Sequence, residues 1–539
     1  MHQLSDATKK LISQYDLWRK SLRQKDVPTL HVDEVAQRVA AFYEQIRTII
    51  DWKEEHLMRR SAIIRKIKRR FLDLELNNFS VTDNIAEPLV LELIRGGYFP
   101  NDKIEESKIA EIQNIINKYI FIFKQNPENK KGKTGVSFYT NLLEIAACEI
   151  EETLAPSIKE MALVDYMFTL MRERIKISES IYQRGIVKKE EVDILIYIAV
   201  QQALFKLDNP IISYNVLKYK FPYWDWPSDE QLLTIAQDMR GIIEKIESDL
   251  EHPFLKKIYT ICEKYDTPYL LLGDILTTTE LEGIETALEN PATLEKLIKE
   301  NYATRLIDLR KKIKRAAIYS TASIFITKIL SLLILEVILI RIFGGHINIL
   351  SFLVDIAVPT LLMAGLVTTA KSPSSQNLNI AVLETIKIVY KKEKYDVYEI
   401  KSSKKRSFFT RFFLSLIYLL GAVVTMGAIY GTFNYFRFPN TSIVINFIFI
   451  ALILFAGTAI RTRSQELTIE DESTGFLGFV VDILFLPITG LGGWMSNTWK
   501  QYNAIAAIFS ALVDMPFSAF VEFLERWRYF IKEKKEEMR

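Results

Sequence analysis

The sequence predicts an all-α protein: a large cytoplasmic helical domain followed by a polytopic helical membrane domain of about six spans. Three observations predict it. Apolar residues recur at three-to-four spacing, with charges between them, through the chain up to Arg315. Beyond Arg315 lie six apolar runs separated by short polar segments. Lysines and arginines cluster at one end of those runs and are sparse at the other. The overall composition, 49% hydrophobic and 25% charged over 539 residues, averages two unlike halves.

Within the polar half, residues 31–76 read as one long helix or two joined ones. Its apolar stripe runs through Val35, Val39, Phe42 and Ile46, then Ile63, Ile67, Phe71 and Leu74. The same helix carries Arg59, Arg60, Arg65, Lys66, Lys68, Arg69 and Arg70, a set that suits either a solvated bundle face or contact with an anionic membrane surface. Gly96-Gly97-Tyr98-Phe99-Pro100 stops one helical pattern, and the next runs to about Gln125.

Gly132-Lys133-Thr134 resembles the end of a phosphate-binding loop, with Tyr119–Phe123 readable as a preceding strand. The match fails at Pro127, where the loop needs a glycine, because proline has no N–H to donate and cannot make the curl. Helices are expected over 141–184 and 188–208.

The aromatic run Phe221-Pro222-Tyr223-Trp224-Asp225-Trp226-Pro227 reads as a packed corner between two lobes, 1–226 and 227–315. Ser228 and Gln231 form a capping box, and so do Thr277 and Glu280. Helical patterns occupy 229–265 and 280–290. A last helix starts near Pro291 and meets no interruption before the apolar region, so it is expected to continue into the first span. Cys148 and Cys262 cannot build a disulfide framework and read as buried small residues. The start of the chain lacks the apolar core of a signal peptide.

In the apolar half, a ~30 Å hydrocarbon core needs about 20 apolar helical residues. The candidate spans are 317–342, 349–370, 408–433, 442–460, 475–495 and 503–525, within a membrane domain at 316–528 and before a tail at 529–539. Basic residues stand before the first span (Arg310 to Arg315), between the second and third (Lys387 to Arg406), between the fourth and fifth (Arg461, Arg463) and after the sixth (Arg526 to Lys535). That pattern expects both termini in the cytoplasm. Tyr435, Phe436, Trp494 and Trp499 then fall in the outer aromatic belt.

The spans carry charges that cost at least ~2.5–3.5 kcal/mol each at the bilayer centre, so each needs a partner or water. Lys328 and Asp514 fall near mid-membrane, Glu336 and Asp355 in the outer third, and Asp482 in the inner third. Lys328 is thus expected opposite Asp514. Three aspartates precede prolines: Asp355 before Pro359, Asp482 before Pro487, Asp514 before Pro516. Together with Gly490, Gly492 and Gly493, those prolines read as helix breaks that free carbonyls beside carboxylates, the chemistry of a cation or proton site.

The functional expectation is a cation- or proton-transporting, channel-like protein with a cytoplasmic regulatory domain, its polar path formed by Lys328, Glu336, Asp355, Asp482 and Asp514. The alternative is a non-enzymatic membrane scaffold presenting a helical interaction domain. No nucleophile, metal or nucleotide motif marks an enzyme, and no cofactor is expected. The partners expected are the lipid bilayer, proteins docking on the cytoplasmic domain and a second copy of the chain. A net charge of only +3 argues against nucleic acid.

Overall fold

A computed structural model describes residues 3–22, 27–32, 59–68, 84–126, 133–278, 284–332, 349–368, 373–391, 396–401, 408–469 and 485–496, with Phe523 and Trp527. The described chain is helical apart from isolated bridges and one ladder of two three-residue parallel strands, Ile175–Ile177 and Tyr398–Ile400. It divides into two compact units. Lys9–Glu263 and Lys394–Ile400 form a polar unit. Met1–Thr8, Lys264–Glu393 and Lys401–Asn503 form an apolar unit.

The polar unit is a helix bundle. Helix Ser107–Gln125 packs on Lys133–Leu154 and on Asp229–Leu250, while Ile158–Arg174 packs on Lys189–Phe205. The single helix expected over 141–184 is divided at Pro156, which disfavours helical geometry in the residue before it and cannot donate to the preceding turn. Ser228 caps Asp229–Leu250 as expected: its hydroxyl accepts from the Gln231 N–H, and the Gln231 side chain accepts from the Ser228 N–H. Glu280, the expected partner of Thr277 in a second capping box, lies outside the described residues. Thr277 itself lies in the last turn of Asp266–Thr278, where its hydroxyl donates to the Gly273 carbonyl at 2.7 Å. Tyr119–Phe123 is helical, not the strand expected there. Residues 31–76 are described only at 31–32 and over 59–68, where the chain is helical.

The apolar unit is built on one helix, Pro291–Ser331, of 41 residues. Asn290 caps it by accepting from the Ala292 N–H, and Pro291 takes a first-turn position that needs no N–H donor. At a rise of 1.5 Å per residue it is about 60 Å long, twice a hydrocarbon core. Its polar first half packs against Asp266–Thr278, Ile284–Glu289 and Ser375–Val389. Arg305 forks onto Asp274 there. Asn377 uses both ends of its amide: it donates to the Tyr302 hydroxyl (3.0 Å) and the Leu467 carbonyl (2.6 Å), and accepts from the Ile469 N–H (2.8 Å).

The second half of the long helix packs against Ile349–Thr368 and Asn440–Ser464. Phe408–Tyr435 and Asn440–Ser464 form a helical hairpin, turned at Arg437 with φ of +56° and closed by the edge-to-face pair Phe433–Phe438. Both helices of the hairpin are long and apolar enough to cross a membrane. Phe408–Tyr435 leaves most of its large apolar side chains exposed, Phe433 excepted; Phe409 is 78% and Phe413 64% exposed.

Candidate functional site

Among the described residues, the apolar helices enclose a buried polar cluster around Lys328. Lys328 Nζ lies 2.8 Å from Asp355 Oδ2, and the two side chains are 0% and 1% exposed. Asn446, equally buried, donates from Nδ2 to Asp355 Oδ1 at 2.5 Å and to the Ser442 carbonyl at 3.0 Å. The Phe449 ring faces the ammonium at 5.1 Å. Each of three helices contributes: Pro291–Ser331 the lysine, Ile349–Thr368 the aspartate, Asn440–Ser464 the amide. The cluster adjoins an apolar core formed by Ile450, Leu454, Val354 and Val358.

Two side-chain oxygens in this region are buried without a hydrogen-bond partner, Asn446 Oδ1 and Ser331 Oγ. Ser331 is one turn beyond Lys328, on the same helical face. Pro359 supplies a third under-used oxygen. It lies inside Ile349–Thr368 and has no N–H to donate to the Asp355 carbonyl four residues back. The cluster thus places a carboxylate and neutral oxygens around a protonated amine in an apolar setting.

The depth estimate set Lys328 opposite Asp514; its described partner is Asp355. Glu336, Asp482, Asp514 and Pro516 lie outside the described residues. The sequence reading missed Asn446. Its signal was a lone amide in an otherwise apolar stretch, one turn after Ser442.

The expected helix breaks are corrected where they are described. Ile349–Thr368 continues through Pro359, and residues 485–496 are helical across Gly490, Gly492 and Gly493; Pro487 stands in the first turn described there. Two of the glycines serve close packing instead. A Cβ on Gly492 would lie 2.1 Å from the Ala451 carbonyl oxygen, and one on Gly493 3.0 Å from the Phe455 ring, so the backbone touches Asn440–Ser464 here. At Gly490 the nearest atom is the Tyr418 hydroxyl at 3.5 Å. Gly492→Ala is therefore expected to destabilise the apolar unit by about 1–3 kcal/mol, and Gly490→Ala to leave it within about 1 kcal/mol of the parent. Thermal unfolding in detergent reads the difference, and equal effects would contradict this packing.

The basic residues over 59–68 are largely occupied inside the polar unit. Arg60 is buried, donates a fork to Asp208 (2.8 and 2.6 Å) and reaches Cys148 Sγ at 3.3 Å. Arg59 lies 3.4 Å from Glu151, Arg65 donates to the Tyr98 hydroxyl and Lys66 to Glu92. Lys68 is exposed; Arg69 and Arg70 lie outside the described residues. Arg59, Arg60, Arg65 and Lys66 thus act as packing and pairing residues, because the helix turns this face onto acidic neighbours. Both cysteines are buried thiols, and burial pushes Cys148 up to about 12.

Burial pushes the Glu151 carboxyl up to about 7, against the pull of Arg59 and Arg60. Between pH 4.5 and 7 the folded unit then holds a proton that the unfolded chain releases. The stability this group contributes is complete below about pH 4.5, declines as pH rises to about 7 and stays lost above it. Glu151→Gln is expected to be more stable than the parent by up to about 3 kcal/mol at pH 8 and equal to it near pH 4.5. Unfolding midpoints against pH test this; a parent–variant difference independent of pH would refute it.

The polar unit also contains a saturated buried network at the aromatic corner. Glu149 accepts from Lys118 Nζ (2.5 Å), the Tyr119 hydroxyl (2.8 Å) and Trp224 Nε1 (2.9 Å). Lys118 also donates to the Trp224 carbonyl at 3.0 Å and lies 4.4 Å from that ring's centre. Trp224 is therefore a core anchor, whereas Trp226, two residues on, is 72% exposed.

Neither a protein-family description, nor a curated protein, nor a solved structure matches this chain.

Proposed function

We propose that the chain is a multi-pass integral membrane protein, with both termini cytoplasmic, that moves a cation or proton through its helical bundle. The observation that carries this reading is the buried Lys328–Asp355–Asn446 cluster. Ionised groups are costly in lipid and, where they occur in spans, mark ion and proton routes. The exposed apolar surface of Phe408–Tyr435 supports contact with acyl chains, and exposed Tyr435 and Trp494 suit the interface. The basic clusters support the orientation. Asp482 and Asp514 extend the polar path, and the polar unit serves as a regulatory domain.

Reconstitution into liposomes tests the reading, with a trapped pH indicator and imposed gradients of Na+, K+, Li+ or H+. The parent is expected to conduct or exchange at least one of these ions, and Asp355→Asn to lose at least tenfold of that rate. No flux in the parent, or unchanged flux in the variant, sinks the proposal.

One observation favours a second reading, a membrane scaffold without transport: the ion pair is wholly enclosed, as a static strut between helices would be. A scaffold passes no ion in the same assay.

A further inference from the structure

One exposed face of the long helix Pro291–Ser331 changes from basic to apolar along its length. Lys311, Lys314 and Arg315 are exposed on that face. At three-to-four spacing beyond them follow Ile318, Tyr319, Phe325 and Ile326, also exposed. Tyr302, Leu309 and Ser331 fall on the opposite face and are buried. Asp308 is the only carboxylate between Glu300 and Ser331. It lies 3.6 Å from Lys311 with both side chains mostly exposed, an arrangement that neutralises little in water. At a rise of 1.5 Å per residue, Ile326 stands about 16 Å along the helix from Arg315, about half of a ~30 Å hydrocarbon core. The stripe therefore has the dimensions of one lipid: a charged head, then an acyl chain crossing one leaflet. Tyr319 stands at the junction, where an apolar ring with a polar tip suits the headgroup boundary.

We propose that this stripe docks an anionic phospholipid; this rests on the membrane reading above and not on ion movement. The phosphate lies among Lys311, Lys314 and Arg315, whose flexible stems let the charged ends reach it. The acyl chain runs along Ile318, Phe325 and Ile326. Charge complementarity selects the headgroup, because a zwitterionic lipid brings its own cation and gains little from three more. The apolar half selects a lipid over a soluble anion or an acidic protein segment, since neither of those covers exposed phenylalanine and isoleucine.

The test places a bimane fluorophore on the stripe by Ala322→Cys; both native cysteines are buried. The full-length chain is reconstituted in phosphatidylcholine bilayers that contain phosphatidylglycerol or phosphatidylcholine with a nitroxide on the acyl chain. Quenching is expected to favour phosphatidylglycerol by at least about fivefold, and to lose that preference as salt rises. Lys311→Gln with Lys314→Gln and Arg315→Gln is expected to abolish the preference. Lys311→Arg with Lys314→Arg and Arg315→Lys keeps the charge and is expected to retain it. Lys256→Gln with Lys257→Gln and Lys264→Gln removes as much charge from an exposed helix of the polar unit and is expected to change nothing. Equal quenching by both lipids, or a preference that survives the first triple variant, overturns the site. So does displacement of the labelled lipid by glycerol phosphate or polyglutamate, which would mark a soluble anion or an acidic protein segment. Quenching by a second copy carrying a nitroxide at residue 322, in place of lipid, would assign the stripe to self-association and overturn it too. A chain that sodium carbonate washes from the bilayer fails the membrane reading and this one together. A chain that stays in the bilayer without the preference fails this one alone.

Discussion

Replacing Lys328 by methionine is expected to destabilise the apolar unit by about 3–5 kcal/mol, because it leaves the buried Asp355 carboxylate without its counter-charge. Asn446 alone does not offset that loss: it supplies one amide donor and no charge. Exchanging both members, Lys328→Met with Asp355→Leu, is expected to recover most of the stability, since a packed apolar pair avoids the desolvation that the ion pair suffers. Thermal unfolding in detergent of the parent, Lys328→Met, Asp355→Leu and the double variant supplies the four corners of a double-mutant cycle. The double variant also separates stability from function. In the transport reading it is stable and inactive in liposomes. In the scaffold reading it is stable and still presents the polar unit to its partners. If the single and double variants are equally unstable, the pair does not supply the coupling inferred from its geometry.

The second large effect is expected at the aromatic corner. Glu149→Leu removes the acceptor shared by Lys118, Tyr119 and Trp224 and strands a buried ammonium, at a cost of about 3–5 kcal/mol. Trp224→Phe keeps most of the ring volume and deletes one donor to a charged acceptor, a loss of about 1.5–3 kcal/mol. Denaturant unfolding of the full chain in detergent, followed by hydrogen exchange over Ser107–Gln125 and Lys133–Leu154, is expected to rank them in that order. The reverse order would mean that Trp224 acts through packing alone. Lys118 is already strained in this sense: burial pulls its ammonium below the ordinary lysine value despite Glu149.

These sites differ in how legible they are in the chain. Spacing found the capping box at Ser228 and Gln231, since both partners lie within one turn. It also found the start of the long helix at Pro291 and its uninterrupted run past Arg315, because propensity and the lack of breakers are local properties. It missed Asp266–Thr278, where Tyr269, Leu271, Leu272 and Ile275 are all buried and no polar stripe marks a helical period. Prolines and glycines misled in the opposite direction. Pro359 and Gly492 read as breaks, but a helix walled by other helices tolerates the first and uses the second for close approach. The basic run over 59–68 read as a surface feature because charge is visible in the chain and an opposing Asp208, far along it, is not.

By itself, then, the sequence determined the helical class, the apolar segments with their flanking charges, and the presence of ionisable residues inside those segments. Each follows from composition or a period of a few residues. Only the tertiary structure decided that Lys328 meets Asp355 and Asn446, that Arg60 is a core residue and that Gly492 is a contact point. These pairings join helices tens to hundreds of residues apart, and they depend on helix rotation and side-chain reach, quantities that periodicity along one helix does not contain.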